Sequence, residues 1–135
     1  FQKVHISDFM IDKDPLFARV NLDEDEYRLY ERVYKSVIID VPKPDLVIYL
    51  QAPTETLYSR IRKRGNQIER FISLTYLKQL NEAYAQFFHY YNDAPLLIVN
   101  TARINLAQNE ADYQNLLRYI SQPHSGRHYY NPCVA

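Results

Sequence analysis

The sequence predicts an α/β fold in which parallel strands are joined by helical crossovers, and three observations carry that reading. Leu46-Val47-Ile48-Tyr49-Leu50 is an unbroken apolar run held between Pro44 and Pro53, the pattern of a strand covered on both faces. Pro95-Leu96-Leu97-Ile98-Val99-Asn100 is a second short run of the same kind. The stretches around and between them place apolar residues at helical spacing instead of alternating them.

Taken in order, Val4-His5-Ile6-Ser7-Asp8 reads as a short buried strand ending in a carboxylate. The C-terminal ends of parallel strands are where α/β folds present ligand- or metal-facing groups. The alternative, that Asp8 merely caps the next segment, stays open. Met10 to Arg19 reads as a helix with Pro15 in its first turn, where a missing N–H costs nothing. Asp23-Glu24-Asp25-Glu26 is a helix start: Asp23 and Glu26 have capping-box spacing, and acidic side chains suit the N-terminal dipole. Leu29, Tyr30, Val33, Tyr34, Val37 and Ile38 follow at helical spacing, giving a helix of about five turns. Pro42 and Pro44 deliver the chain into the Asp45–Leu50 strand.

Thr54 is read as the cap of the next helix, with Glu55 in its first turn and Gly65 as its stop. Leu57 and Ile61 share one face of it, while Arg60, Arg62, Lys63 and Arg64 fill much of the rest. Four cations just beyond a buried strand point to an anion held near that helix, such as a phosphate. Asn66 to Arg70 is polar and expected to be mobile. Ser73 caps a long helix to about Tyr91, with Leu77, Leu80, Tyr84, Phe87, Phe88 and Tyr91 on its apolar face. Asn109 to Ile120 makes the last helix, with Tyr113, Leu116, Leu117 and Ile120 inward. From Gln122 the periodicity ends, so 123–135 is expected to be an irregular tail, with His124 and His128 on its surface.

At 135 residues the chain has the length of one domain with a real core, and its 47% hydrophobic and 24% charged content is that of an ordinary globular chain. Sixteen Lys and Arg balance sixteen Asp and Glu, which argues against general nucleic-acid binding. No apolar run approaches the ~20 residues of a bilayer-spanning helix, and no signal-peptide pattern precedes the first segment. The single cysteine, Cys133, excludes an internal disulfide and fits a reducing cytoplasm. Thirteen tyrosines without a tryptophan predict buried rings whose hydroxyls want partners. With only Gly65 and Gly126, the chain carries no glycine-rich phosphate loop. Its abrupt opening, Phe1-Gln2-Lys3, leads us to expect the later part of a larger protein.

The stretch PDLVIYLQAPTETLYSRIRKRG resembles the strand and lid helix of the deoxynucleoside kinase family. DKDPLFARVNLDEDEYRLYERVY and NEAYAQFFHYYNDAPLLIVN are similar to its bacterial deoxyadenosine/deoxyguanosine kinase-like branch. The resemblance runs from about Val4 to Ile120. It implies a partial P-loop NTPase fold, three-layer α/β/α with parallel strands, in which 1–122 is the C-terminal part of the kinase domain and about 60–70 is its lid. It also implies transfer of the γ-phosphoryl group of ATP to the 5′-hydroxyl of a deoxynucleoside, with a purine as the expected base. The family's P-loop and general base are not in these residues.

Carried over residue by residue, Arg60 and Arg64 match two arginines that clamp the ATP phosphates, and Asn66 stands where many members have a third. Glu69 matches a glutamate that binds the deoxyribose 3′-hydroxyl. Asp8 falls at or beside the carboxylate of the family's D/E-R-S motif, which helps hold Mg²⁺, here through water. The motif's arginine is lost, replaced by Phe9, or by Asp8 if the register shifts by one. Lys13 is a candidate substitute cation, and Asp14 or Asp12 the acidic residue that reads the base edge. Thr101 to Ile104, including Arg103, resembles the loop that packs on adenine. Family members commonly pair through helices, so a homodimer is expected, acting on small molecules rather than on nucleic acid or membrane.

Two other readings compete. A nucleoside monophosphate kinase of the thymidylate kinase type shares the strand and lid, but a basic segment is expected where this chain has SDFMIDKD. A non-catalytic helical interaction module, built on the aromatic helix Leu74–Tyr91, is the reading from a different class.

Overall fold

The computed structural model describes residues 4–37 and 42–132. Ile38, read as the end of a helix, Cys133 and the opening Phe1-Gln2-Lys3 lie outside the described residues. A 3-10 turn at Ile11–Lys13 leads into α1 (Asp14–Asn21) and α2 (Glu24–Val37). Next come β1 (Val47–Gln51), α3 (Thr54–Arg64), a 3-10 turn at Ile68–Phe71 and α4 (Leu74–Tyr90). The chain closes with β2 (Leu96–Asn100), α5 (Glu110–Ile120) and β3 (Arg127–Tyr130).

The three strands form one parallel sheet in the order β1-β2-β3, with Val47 opposite Leu96 and Leu96 opposite Arg127. Because strand side chains alternate, the in-phase register sorts the core into two layers. Val47, Tyr49, Leu96 and Ile98 pack with Phe88 and Tyr91 of the α4 side. Leu97 and Val99 face the other way, onto Leu116 of α5 and Ile104. The arrangement is helix, sheet, helix, as the α/β reading expects. Leu97 and Val99 are fully buried, each contributing about 1.5–3 kcal/mol by leaving water.

The local signals formed as the residues dictate. Asp23 Oδ1 accepts from the Glu26 N–H at 2.9 Å while Glu26 Oε2 accepts from the Asp23 N–H at 3.0 Å, a complete capping box. Ser73 Oγ accepts from the Tyr76 N–H at 3.1 Å, and Asn109 Oδ1 from the Ala111 and Asp112 N–H groups. Gly65 closes α3 in the left-handed conformation at φ +69°.

Five expectations are corrected. Val4–Asp8 is not a strand: among the described residues no strand pairs with its backbone, and Val4 and Ile6 are 85% and 93% exposed. The tail expected to be irregular contains β3, because Gly126 turns the chain at φ +72° and its carbonyl accepts the Leu96 N–H at 2.9 Å, seating Arg127–Tyr130 beside β2. β1 is buried on one face only. Val47 and Tyr49 are covered, but Ile48 and Leu50 stay exposed because the α5 layer packs on β2 and β3. Pro53, not Thr54, occupies the cap position of α3; the Thr54 hydroxyl instead accepts from Asn81 Nδ2 at 3.2 Å. Tyr113 and Leu117 of α5, read as inward, are 46% and 42% exposed.

Candidate functional site

Parallel strands carry ligand-facing groups at their C-terminal ends. Here those ends are Gln51 on β1 and Asn100 on β2, and they are tied together: the Thr101 N–H and hydroxyl both donate to the Gln51 carbonyl, at 2.8 and 3.0 Å. Thr101 is 5% exposed, so its polar atoms had to find protein partners. Asn81 of α4 reaches the same end of the sheet, donating to the Ala52 carbonyl and to Thr54.

α3 leaves this end of the sheet with its arginines one turn apart. Arg60 turns back to the sheet: Nη1 donates to Thr101 Oγ1 at 3.1 Å, and Nη2 donates to the Thr101 and Ile104 carbonyls at 2.6 and 3.0 Å. Arg64 turns forward. Its Nε and Nη2 donate to the two carboxylate oxygens of Glu69 at 3.1 and 2.7 Å, the parallel fork that guanidinium and carboxylate make together. The left-handed Gly65 and the following 3-10 turn double the chain back far enough for this pairing. Ile61, Arg62, Gly65, Asn66, Glu69 and Arg70 line a hollow of about 260 Å³ at this turn. Arg62 lies 5.0 Å from the centre of the Tyr58 ring and donates to its hydroxyl, so it is spent on its own helix.

The N-terminal candidates form a second group. Lys13 Nζ donates to the Asp8 carbonyl at 3.2 Å and stands 6.0 Å from the centre of the Tyr84 ring. Asp14 accepts from the Tyr30 hydroxyl at 2.8 Å. Burial and the Asp14 carboxylate beside it hold the Tyr30 phenol well above its ordinary range. Asp12 lies instead at a groove of about 370 Å³ lined by Leu16, Arg19, Tyr27, Tyr34 and Phe87. Arg103 is exposed beyond Thr101. The Asp8 carboxylate is also exposed, and among the described residues no three His, Cys, Asp or Glu side chains gather as a metal set. A lone carboxylate still fits Mg²⁺, which keeps several waters and takes one or two carboxylates together with substrate phosphates.

Arg60 and Thr101 thus meet, as do Arg64 and Glu69 and as do Asp8 and Lys13. No hydrogen bond or ion pair among the described residues links Asp8 or Asp14 to the Arg64–Glu69 pair. Sequence reasoning missed Asn81, Gln51 and Tyr30. Asn81 was detectable, since an amide on the stripe between Leu77 and Tyr84 signals a buried polar partner. Gln51 acts through its backbone and left no trace in side-chain chemistry.

Comparison with known proteins identifies the family. The family model described as "Deoxynucleoside kinase" matches residues 1–123. A deoxyguanosine kinase from Bacillus subtilis is 29% identical over 121 residues, covering 87% of this chain and 58% of that protein. A deoxyadenosine kinase from Lactobacillus acidophilus is 27% identical, covering 90% of this chain and 63% of that one. Among solved structures, the deoxyadenosine kinase of M. mycoides with bound dATP superposes with a TM-score of 0.69 at 29% identity, over 82% of this chain and 58% of that one. The same enzyme with bound dCTP gives 0.68 over 80% and 58%. The chain therefore spans about three fifths of the length of these relatives.

Proposed function

The chain belongs to the deoxynucleoside kinase family, and from that premise we propose that it is the lid-bearing C-terminal portion of an ATP-dependent deoxynucleoside kinase. The reaction joins the 5′-hydroxyl oxygen of a deoxynucleoside to the γ-phosphorus of ATP and breaks the bond to the β,γ-bridging oxygen, releasing ADP. The hydroxyl proton goes to a general base that, like the P-loop, the resemblance assigns to a part of the kinase upstream of these residues. A purine base is the expected substrate, since the relatives described above are deoxyguanosine and deoxyadenosine kinases.

The observation that carries this reading is the Arg64–Glu69 pair on the turn after α3. Phosphoryl transfer asks a protein mainly for positioning and for charge facing the equatorial oxygens. A guanidinium is permanently charged and offers two parallel donors, so Arg64 can exchange a carboxylate for a phosphate without changing its geometry. Glu69, released in that exchange, becomes an acceptor for the 3′-hydroxyl. The pair therefore keeps its cation and its acceptor on each other. Arg60 and Thr101–Arg103 stand at the donor nucleotide, and Lys13 and Asp14 (or Asp12) at the substrate. Asp8 would hold Mg²⁺ through water. When bound, that ion would neutralise charge on the phosphates.

The same reading makes the protein a cytoplasmic homodimer. Leu29, Val33 and Val37, at four-residue spacing on α2, are 57%, 55% and 71% exposed, an apolar stripe suited to helix pairing. Among the described residues no helix is long and apolar enough to cross a membrane. The function is tested by incubating the full-length protein with ATP and either deoxyadenosine or deoxythymidine monophosphate. Product from the nucleoside supports a nucleoside kinase; product from the monophosphate alone would replace it with the monophosphate kinase reading.

A further inference from the structure

Arg60 and Arg64 are equivalent by spacing, four residues apart on one helix, yet their guanidinium groups have opposite occupations. Arg64 is paired with one exposed-turn carboxylate. Arg60 instead spends three N–H bonds on Thr101 and Ile104, the two ends of the segment that follows β2. Both ends are themselves fixed. Thr101 is bonded twice to the Gln51 carbonyl, and Ile104 is 5% exposed, packed with Leu97, Val99 and Leu116. The guanidinium thus bridges α3, the end of β1 and the loop after β2. Buried carbonyls need donors, and a charged planar donor serving two carbonyls and a hydroxyl at once is something a lysine ammonium reproduces poorly.

We infer that Arg60 is a positioning residue, a latch that holds the Thr101–Ile104 loop in its nucleotide-facing shape and pins the first two turns of α3 to the sheet. The mobile part of the lid then begins beyond Arg60, and Arg64 is the cation that travels. The latch is a statement about this chain's own packing; its effect on ATP rests on the kinase reading proposed above.

The experiment compares the full-length protein with its Arg60→Ala, Arg60→Lys, Thr101→Val and Arg64→Ala variants. It reads backbone hydrogen exchange of the 101–105 peptide without nucleotide, and then KM for ATP and kcat. Loop opening governs exchange, so Arg60→Ala should speed it by about tenfold or more, Thr101→Val by less, and Arg64→Ala not at all. Arg60→Ala should raise KM for ATP by about tenfold with kcat within about threefold, and Arg60→Lys should rescue neither change. Should Arg60→Ala fail to fold, Thr101→Val, which removes the hydroxyl shared by Arg60 and Gln51, carries the exchange test. Unchanged exchange in both variants overturns the latch whatever the activity. A collapse of kcat at unchanged KM also overturns it, because Arg60 would then act on the reacting phosphates. Faster exchange in a protein that phosphorylates no nucleoside upholds the latch and removes the kinase reading alone.

Discussion

Arg64 and Glu69 face each other across the Gly65 turn through two N–H···O bonds of 3.1 and 2.7 Å. The pair is partly exposed, with the arginine side chain 63% accessible, so it contributes only about 0.2–1 kcal/mol to stability. In the proposed kinase its role is exchange of partners. Arg64→Ala is therefore expected to leave the thermal midpoint within a few degrees while lowering kcat by about 10²-fold or more, the usual cost of losing a phosphate-facing donor. Glu69→Ala is expected to raise KM for a deoxynucleoside and to erase the preference over its 3′-deoxy analogue. Steady-state rates on both substrates check this; a retained preference would take Glu69 out of the sugar site.

Gly65 adopts φ +69° with nothing within 4 Å of where a Cβ would stand. Gly65→Ala thus meets no clash, only the backbone penalty of the left-handed region, about 1–2 kcal/mol. Urea unfolding should show the loss in its midpoint at unchanged slope. A neutral substitution would mean that the turn relaxes to another conformation.

Tyr49 stacks on Phe88 with ring centres 4.3 Å apart, yet its hydroxyl is buried without a partner among the described residues. An unsatisfied buried hydroxyl is a cost, so Tyr49→Phe keeps the stacking and removes the liability. Stability should hold or rise by about 1 kcal/mol in denaturant unfolding. A loss of that size would reveal a partner for the hydroxyl in the full-length protein.

Tyr30 links pH to stability. Burial, then the Asp14 hydrogen bond, raises its phenol pKa in the folded state above the ordinary value of about 10. The folded protein therefore holds this proton more tightly than the unfolded chain. The contribution is fully present below about pH 10 and is lost as pH rises from there toward the higher folded value. Thermal midpoints measured from pH 8 to 11 should fall above about pH 10, and less steeply in Tyr30→Phe. Parallel curves for the two proteins would remove Tyr30 from the linkage.

Most of the fold was legible where the signal was local, the misread Thr54 cap being the exception. Capping at Asp23 and Ser73, the Gly65 stop, and the two apolar runs all formed from residues adjacent in the chain. Failures came where a neighbour decides the outcome. Val4–Asp8 has strand composition, but a strand exists only by pairing, and no partner lies beside it among the described residues. Arg127–Tyr130 has no alternation to read, and is a strand because β2 offers it an edge. At the site, Arg64 and Glu69 came to notice together through the family resemblance, and the fork between them was not legible from their spacing. The split between Arg60 and Arg64 depends on a loop more than forty positions away, which spacing on a helix cannot encode.

The central claim is most directly tested by the identity of the product formed when the full-length protein is given ATP with deoxyadenosine or deoxyguanosine. The expected products are ADP and the corresponding deoxynucleoside 5′-monophosphate, with turnover reduced by about 10²-fold in Arg64→Ala. Absence of a monophosphate from every deoxynucleoside supplied, by a folded protein, would contradict it.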